Sequence, residues 1–345
     1  MRFADLTTMR VGGEVGTLLR PTTRTDLVSA ALATWAEDDP WLVLGGGSNV
    51  VAADARFEGT VIRVESRGIT AAASAADPNT VMLDIEAGEP WDAVVDYAVA
   101  AGLCGIEAMA GIPGSTGAAP VQNIGAYGQE LSDVLASVDF LDYGSGEVTR
   151  LAADELALGY RTSALKRGRR GVVLAVQLEL EASATDTVEY EQLAAAIDGI
   201  SGGSDERVAL ARIRDAVLGL RRSKGMVLDA ADPDSVSCGS FFTNPIVTAT
   251  FARQLPAALP RWPVGDETVV KLSAAWLIER AGIRRGFRLA GSRAAISDKH
   301  TLAITNRGNA AAEEVAELAR FIGERVRSEL GVSLQPEPVG VGLEL

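Results

Sequence analysis

The chain has 345 residues, more than one hydrophobic core usually accommodates, so we expect two or three domains. Hydrophobic residues make up 47% and charged residues 23% of the sequence, a composition typical of a globular protein and not of a disordered one. The formal net charge of -14 argues against a nucleic-acid partner, because proteins that bind polyanions concentrate Lys and Arg on one face.

The first predicted elements form a small α+β unit in residues 1–65. Thr23 and Asp26 have the spacing of a capping box, and the apolar residues that follow share one helical face, so we expect a helix that stops near Pro40. The apolar run 41–44 predicts a buried strand, and residues 60–64 predict a second one.

The middle of the chain alternates strands with helices. Residues 81–87 predict a strand, and a helix carrying Trp91 and Val94 should end at Gly102. Further strands are expected at 134–143 and 171–180. The second of these ranges is rich in Val and Leu.

The last part of the chain predicts more helix than strand. We expect one helix from Ser204 through Val208 to Leu220, then a loop over 224–240 that marks a domain boundary. A second helix is expected around 269–281, a strand at 302–306, and a long helix with four apolar residues at helical spacing, Val315, Leu318, Ile322 and Val326.

A first Gly-rich loop, residues 45–49, follows the strand 41–44. Backbone N–H groups in such a loop often hold a phosphate. A dinucleotide fingerprint would need glycine in place of Val50 and a following helix, and no GK[ST] sequence marks a Walker loop, so both are disfavoured. The alternative for this loop taken alone is a tight structural turn.

A second Gly-rich run covers residues 111–129. Its glycines let backbone approach a ligand, Ser115 and Thr116 supply hydroxyls, and Gln122 and Asn123 supply amides that can pair with a heterocycle. Two such loops near strand ends would suit the pyrophosphate of one dinucleotide.

Several blocks of sequence, in order along nearly the whole chain, are similar to those of the UDP-N-acetylenolpyruvoylglucosamine reductases. They are LGGGSNVV at 44–51, GIPGSTGAAPVQNIGAYGQE at 111–130, YRTSALK at 160–166, GSFFTNP at 239–245, KLSAAWLIERAG at 271–282 and LQPEP at 334–338. That family reduces an enolpyruvyl ether during the synthesis of peptidoglycan precursors, and so serves cell wall biogenesis, cell shape and cell division. Tyr190 and the R-x-x-K pattern from Arg221 to Lys224 resemble the longer of its two subtypes.

The resemblance implies an α+β fold of the vanillyl-alcohol oxidase type, in which two α+β FAD-binding subdomains precede a C-terminal α+β substrate-binding domain. We expect residues 1–65 and the tail 331–345 to form the first subdomain, 66–222 the second, and 223–330 the substrate-binding domain. The resemblance also implies that the protein binds FAD as cofactor and uses NADPH as hydride donor.

The residues that the resemblance assigns to FAD lie in the two Gly-rich loops: Gly45, Gly46, Gly47, Ser48, Asn49, Gly111, Pro113, Gly114, Ser115, Gly117, Gln122, Asn123, Gly125, Ala126 and Tyr127. Those assigned to the substrate, UDP-N-acetylglucosamine enolpyruvate, are Tyr160, Tyr190, Arg221, Lys224, Asn244 and His300. Lys224 would offset locally the overall negative charge that repels a diphosphate.

Three residues match the family's catalytic positions. Arg161 would bind the substrate carboxylate, Ser240 would deliver a proton to the enolate, and Glu337 would help to stabilise that intermediate. Taken singly, each has a structural alternative: a surface ion pair, a turn hydrogen bond, or a solvated carboxylate. Pro338 and VGVG depart from the expected ending after Glu337, so we expect an altered strand there.

Two alternatives stay open at this point: a flavin oxidase of the same superfamily acting on an alcohol or sugar, and a flavin or nucleotide-sugar binding protein without turnover. One His and two Cys leave no set of metal ligands, and we read Cys104 and Cys238 as thiols. We expect a cytoplasmic monomer with no metal, no membrane segment and no nucleic-acid partner.

Overall fold

A computed structural model of the chain describes residues 1–74, 77–197 and 206–345. Its strands, in chain order, are β1 (Val15–Leu19), β2 (Trp41–Leu44), β3 (Val50–Ala52), β4 (Phe57–Arg63), β5 (Ile69–Ala73), β6 (Thr80–Glu86), β7 (Leu103–Cys104), β8 (Gly125–Ala126), β9 (Gln129–Glu130), β10 (Leu135–Asp142), β11 (Val148–Ala152), β12 (Gly171–Ala182), β13 (Thr185–Asp186), β14 (Val208–Ala209), β15 (Ile246–Thr248), β16 (Arg261–Val264), β17 (Asp266–Leu272), β18 (Ala294–Ile296), β19 (Ile304–Asn306) and β20 (Val339–Val341).

The helices are α1 (Arg24–Trp35), α2 (Trp91–Ala101), α3 (Glu191–Ala196), α4 (Leu210–Ser223), α5 (Ala249–Ala252), α6 (Ala274–Arg280) and α7 (Ala312–Leu330). This mixture of helices and sheets confirms the α+β class. The chain divides into two compact units: unit 1 comprises Met1–Glu14, Ser48–Phe57 and Lys224–Leu345, and unit 2 comprises Val15–Gly47 and Glu58–Ser223.

Unit 2 contains two larger sheets besides the two-stranded pairs β8–β9 and β13–β14. The order β1-β4-β2 gives a small sheet with a parallel β2–β4 pair, and the order β11-β10-β12-β6-β5 gives a larger antiparallel one. α1 begins at its predicted cap, where the Asp26 N–H donates to the Thr23 hydroxyl, and α2 ends at Gly102 in the left-handed region with φ 68°. Trp91, Val94, Val95 and Ala98 form the buried face of α2.

Unit 1 joins chain segments that are distant in sequence. β3 pairs in parallel with β20, β17 lies between β15 and β16, and β18 pairs with β19. The predicted apolar face of α7 is buried in the core of this unit, and Gly331, with φ 69°, ends the helix. The carboxylate of Glu314 accepts the Ala311 N–H at the start of α7. Its negative charge there interacts favourably with the positive end of the helix dipole.

The structure corrects three sequence predictions. Val208 lies in β14, paired with Asp186, and α4 begins only at Leu210, while Ser204 lies outside the described residues. Val269 and Val270 belong to β17 and not to a helix, because two neighbouring strands bond this β-branched run, and α6 follows only after the Ser273 cap. β2 is half-buried except at Leu44.

Candidate active site

The two Gly-rich loops meet within unit 2. A Cβ on Gly46 would lie 2.7 Å from the Cα of Gly114, and a Cβ on Gly45 would collide with the Ser115 hydroxyl. Only glycine permits this approach of one backbone to the other. The adjacency that the sequence suggested for Gly45–Gly47 and the second loop is therefore present in the fold.

The second loop is fixed at the start of α2. The carbonyl of Gly114 accepts the Trp91 N–H at 3.0 Å, and the N–H of Gly117 donates to the Ala87 carbonyl at 2.8 Å. The Asp92 carboxylate accepts the Gly111 N–H at 2.6 Å, a contact that sequence reasoning did not anticipate. These bonds hold the loop from both ends of its glycine-rich part.

Arg161 is held directly against the second loop. Its Nη1 donates to the Asn123 carbonyl at 2.9 Å and its Nη2 to the Gly125 carbonyl at 2.6 Å. The Ser163 hydroxyl donates to the Val121 carbonyl at 2.6 Å, and the ring of Tyr160 lies 5.6 Å from the Arg161 guanidinium carbon. The segment around Arg161 thus runs along the loop and orients a permanent positive charge there.

Asn123, Tyr127 and Arg161 adopt a left-handed backbone. Their φ values are 47°, 48° and 52°, a region that non-glycine residues seldom occupy. The Asn123 side chain compensates by accepting the Ser132 N–H and donating to Glu130, Ser132 and the Gly159 carbonyl. Such strain, maintained by surrounding bonds, is characteristic of ligand-binding segments.

Tyr127, Tyr190 and Arg221 form a cluster in unit 2. The rings of Tyr127 and Tyr190 pack edge to face with centroids 5.7 Å apart. Burial raises the pKa of the Tyr127 phenol and lowers the pKa of Arg221, whose charge interacts with Tyr127, Asp92 and Arg161. The predicted substrate residues Tyr190 and Arg221 are therefore gathered at the same loop as Arg161.

The remaining predicted loop residues of unit 2 are accessible to different degrees. Gly47 and Gly111 are buried, Pro113 and Gln122 are half-buried, and Ala126 lies in β8, which pairs with β9. This hairpin presents Tyr127 at its turn.

A carboxyl pair, buried Glu107 and half-buried Asp186, supports that hairpin and was not revealed by the sequence. Glu107 is 1% exposed and accepts the Gly105 N–H and the Gln129 side-chain amide at 2.8 and 2.9 Å. Burial, together with a hydrogen bond to Asp186, raises the pKa of Glu107 to about 7. No sequence pattern marks it, since Glu107 and Asp186 lie in separate segments.

In unit 1 the structure brings Ser240, Glu337 and Asn49 onto adjoining segments. The N–H of Glu337 donates to the Phe241 carbonyl at 2.9 Å, and the Asn49 amide donates to the Glu337 carbonyl at 3.3 Å. Ser48, Ser240 and Glu337 are half-buried. The ending after Pro338 continues as β20, with Val339 opposite Val50 in β3, so Glu337 lies two residues before a paired strand.

Three more predicted substrate residues, Lys224, Asn244 and His300, also lie in unit 1, and the structure places Lys224 near His300. The side-chain oxygen of Asn244 accepts the Ala274 N–H at 3.0 Å and so caps α6. Burial and the positive charges of Lys224 and Arg285 lower the pKa of His300 to about 4. The imidazole is therefore neutral at physiological pH and lies near two cations.

Because His300 is the only histidine of the chain, its imidazole Hε1 proton gives a single histidine NMR signal. We expect that signal to titrate with a midpoint of about 4. His300 binds fewer protons when folded than when unfolded between that value and the ordinary value of about 6.5, so its contribution to folding free energy is lost as pH falls through this window. A midpoint near 6.5 in the folded protein would contradict the burial of the ring beside Lys224.

Both cysteines of the described residues are buried free thiols. Burial raises the pKa of each to about 12, and the Cys238 thiol donates to the Val50 carbonyl at 3.5 Å. Within ranges 1–74, 77–197 and 206–345 no cluster of potential metal ligands occurs. No helix in the described part of the chain has both the length and the apolar character needed to cross a bilayer.

Comparison with known proteins covers the whole chain. Residues 16–152 match the family described as FAD binding domain, and residues 232–341 match the UDP-N-acetylenolpyruvoylglucosamine reductase, C-terminal domain. The UDP-N-acetylenolpyruvoylglucosamine reductase of Leifsonia xyli subsp. xyli is 55% identical over 99% of this chain and 98% of its own, and that of Nocardia farcinica is 46% identical over 100% and 90%.

A solved structure is similar over the same extent. The crystal structure of the UDP-N-acetylenolpyruvylglucosamine reductase from Thermus caldophilus superposes with a TM-score of 0.65 at 27% identity, covering 99% of this chain and 97% of that one.

Proposed function

Because the chain belongs to the family of UDP-N-acetylenolpyruvoylglucosamine reductases, we propose that it reduces UDP-N-acetylglucosamine enolpyruvate to UDP-N-acetylmuramate with NADPH. The reaction supplies a peptidoglycan precursor and so contributes to the cell wall, cell shape and cell division. The observation that carries the proposal is the fixed guanidinium of Arg161, bound to the two carbonyls of the second Gly-rich loop.

The residues of the two loops fit FAD. Gly45, Gly46, Gly114 and Gly117 leave a cradle in which a Cβ would collide with neighbouring atoms, and the domain they belong to matches an FAD binding domain. We assign the cofactor to the two loops, from Gly45 to Asn49 and from Gly111 to Tyr127. Held by these loops, the flavin would supply hydride transfer between NADPH and the enolpyruvyl double bond.

Three side chains would act on the substrate. Hydride addition leaves negative charge next to the carboxylate, and Arg161, already oriented by backbone carbonyls, would stabilise that charge. Ser240 would donate a proton to the adjoining carbon, so that hydride and proton together saturate the double bond. Glu337, placed before β20, would assist at the enolate.

The diphosphate part of the substrate would be bound by charged and polar side chains. We assign this role to Tyr190, Lys224, Asn244 and, as a neutral imidazole, His300, with Tyr160 and Arg221 nearer to Arg161. The Lys224 ammonium would attract the diphosphate locally, although the net charge of -14 repels an anionic ligand overall.

We further propose the three-part division into 1–65 with 331–345, 66–222 and 223–330, the longer subtype, and a cytoplasmic monomer. The assignment of Tyr190 and of the R-x-x-K pattern at Arg221 supports the subtype. Gel filtration with light scattering measures the oligomeric state, and a mass of twice 36.0 kDa would contradict the monomer.

One assay tests the function against both alternatives. The purified protein should be yellow from bound flavin, and it should oxidise NADPH rapidly only when UDP-N-acetylglucosamine enolpyruvate is added. Oxidation of an alcohol or sugar by oxygen would favour the oxidase. Binding of flavin and substrate without NADPH oxidation would favour the non-catalytic binder, and either result would overturn the proposal.

Replacing Gly46 with alanine should lower flavin affinity about tenfold, because the new Cβ would lie 2.7 Å from the Gly114 Cα and push the loops apart. Flavin content per protein and a flavin titration measure the effect. The matched control is Gly323→Ala in α7, where a Cβ meets nothing within 4 Å, and it should stabilise the fold by about 0.5–1 kcal/mol. Equal flavin affinity in the two variants would contradict the contact between the loops.

A further inference from the structure

The carboxylate of Asp234 is the centre of a hydrogen-bonded network in unit 1. Asp234 lies in the turn before Ser240 and is 4% exposed. Its Oδ1 accepts the Ser297 hydroxyl at 2.6 Å, the Asp298 N–H at 2.8 Å and the Arg307 guanidinium at 2.7 Å. Burial acts to raise the pKa of Asp234, but these three donors outweigh it and leave the pKa below its ordinary value. The carboxylate is therefore charged, and its Oδ1 is engaged by three donors.

This network reaches the segment that carries His300. The Ser297 hydroxyl, which donates to Asp234, accepts the N–H groups of Lys299 and His300 at 3.0 and 3.1 Å. The turn 297–300 is thus closed around one serine oxygen, and Asp234 fixes the position of that oxygen. Lys299 adds an ion pair with Asp232 at 2.8 Å.

The same aspartate lies against the residue that follows Lys224. Gly225 is buried with φ 67°, and a Cβ on it would lie 2.7 Å from the Asp234 Cβ. The backbone beside Lys224 therefore rests on Asp234 itself. One residue contacts both the turn of His300 and the segment of Lys224.

We propose that Asp234 is a positioning residue that holds Lys224 and His300 together as one anion-binding group for the substrate diphosphate. It acts through Ser297 on one side and Gly225 on the other, and touches no reacting atom. The assignment of the ligand rests on the proposed function, whereas the positioning itself does not.

The test uses Asp234→Asn in the full-length holoenzyme, with two measurements. First, the midpoint of the single imidazole NMR signal should rise from about 4 toward about 6.5. The charged groups facing His300 are Lys224, Arg285 and Glu279. Loss of the Asp234 charge by itself would lower the midpoint, so a rise reports that the ring has lost its burial and its cationic neighbours.

Second, the KM for the UDP substrate should rise about tenfold while kcat and flavin reduction by NADPH change less than about twofold, because the diphosphate is bound equally in ground and transition states. The matched control is Asp139→Asn in unit 2, another mostly buried aspartate, paired with Arg24 and Arg150. It should leave both measurements at wild-type values even where it lowers stability.

If Asp234→Asn fails to fold, Ser297→Ala removes the hydroxyl that joins Asp234 to the turn of His300, and it should change both quantities in the same direction. A wild-type imidazole midpoint or a wild-type KM in the Asp234 variant, or an equal shift in the Asp139 control, would overturn the proposal. If the wild-type protein does not reduce the UDP substrate, the proposed function fails, and the NMR measurement still decides whether Asp234 positions His300.

Discussion

Replacing Ser240 with alanine should slow the reduction of the enolpyruvyl substrate by about 10²–10⁴-fold and leave flavin reduction by NADPH unchanged. Removing the hydroxyl removes the proton donor, which only the second half-reaction needs. The backbone should keep its place, since main-chain bonds join Phe241 to Leu302 and to Glu337 on either side. Stopped-flow absorbance of the flavin measures the two half-reactions separately.

The control for this change is Cys238→Ala, two residues away. The Cys238 thiol is buried and its proton is directed to the Val50 carbonyl at 3.5 Å, so it is already engaged within the protein. We expect both half-reactions to stay within about threefold of wild type in this variant. Equal slowing of both half-reactions by Ser240→Ala would assign Ser240 a structural role.

Replacing Arg161 with lysine should lower kcat for the substrate by about 10²–10³-fold with little loss of flavin. Lysine keeps the positive charge, but one ammonium on a flexible stem cannot repeat the two directed bonds to the Asn123 and Gly125 carbonyls. The left-handed φ of 52° is equally unfavourable for both residues, so backbone strain does not separate them. Steady-state kinetics and flavin content measure the result.

Arg167→Lys is the matched control, because Arg167 belongs to the same segment and donates to Thr162 and to the Ala157 carbonyl at its exposed surface. It should change kcat less than twofold. An Arg161→Lys enzyme as active as this control would show that charge suffices and that the tether to the loop does not matter.

Local signals predicted the regular helices well. The Thr23 cap, the left-handed Gly102 and the apolar period of α7 each depend on residues within a few positions, and the structure confirms all three. The prediction failed at Val269 and Val270, where a short apolar run fits either period and the pairing of β17 with β15 and β16 decided the outcome.

In the candidate site too, local sequence signals were predictable and contacts between distant residues were not. Glycines identified the loops, because close backbone approach needs glycine wherever it occurs. The tether of Arg161 to Asn123, the bond of Asp92 to Gly111 and the network of Asp234 join residues that the chain separates, and no local pattern encodes such contacts. The resemblance to the reductase family indicated which residues act, and the structure shows the hydrogen bonds that orient them.

The pairing of β3 with β20 also determines the order in which the units become complete during synthesis. Every residue of unit 2 has been made once residue 223 is added, but Val50–Ala52 must wait for Val339–Val341. At ordinary ribosome speeds the interval between residues 223 and 341 is on the order of ten seconds. During this interval the core that buries Met9, Val11 and Val51 is still incomplete, whereas unit 2 is already free to fold.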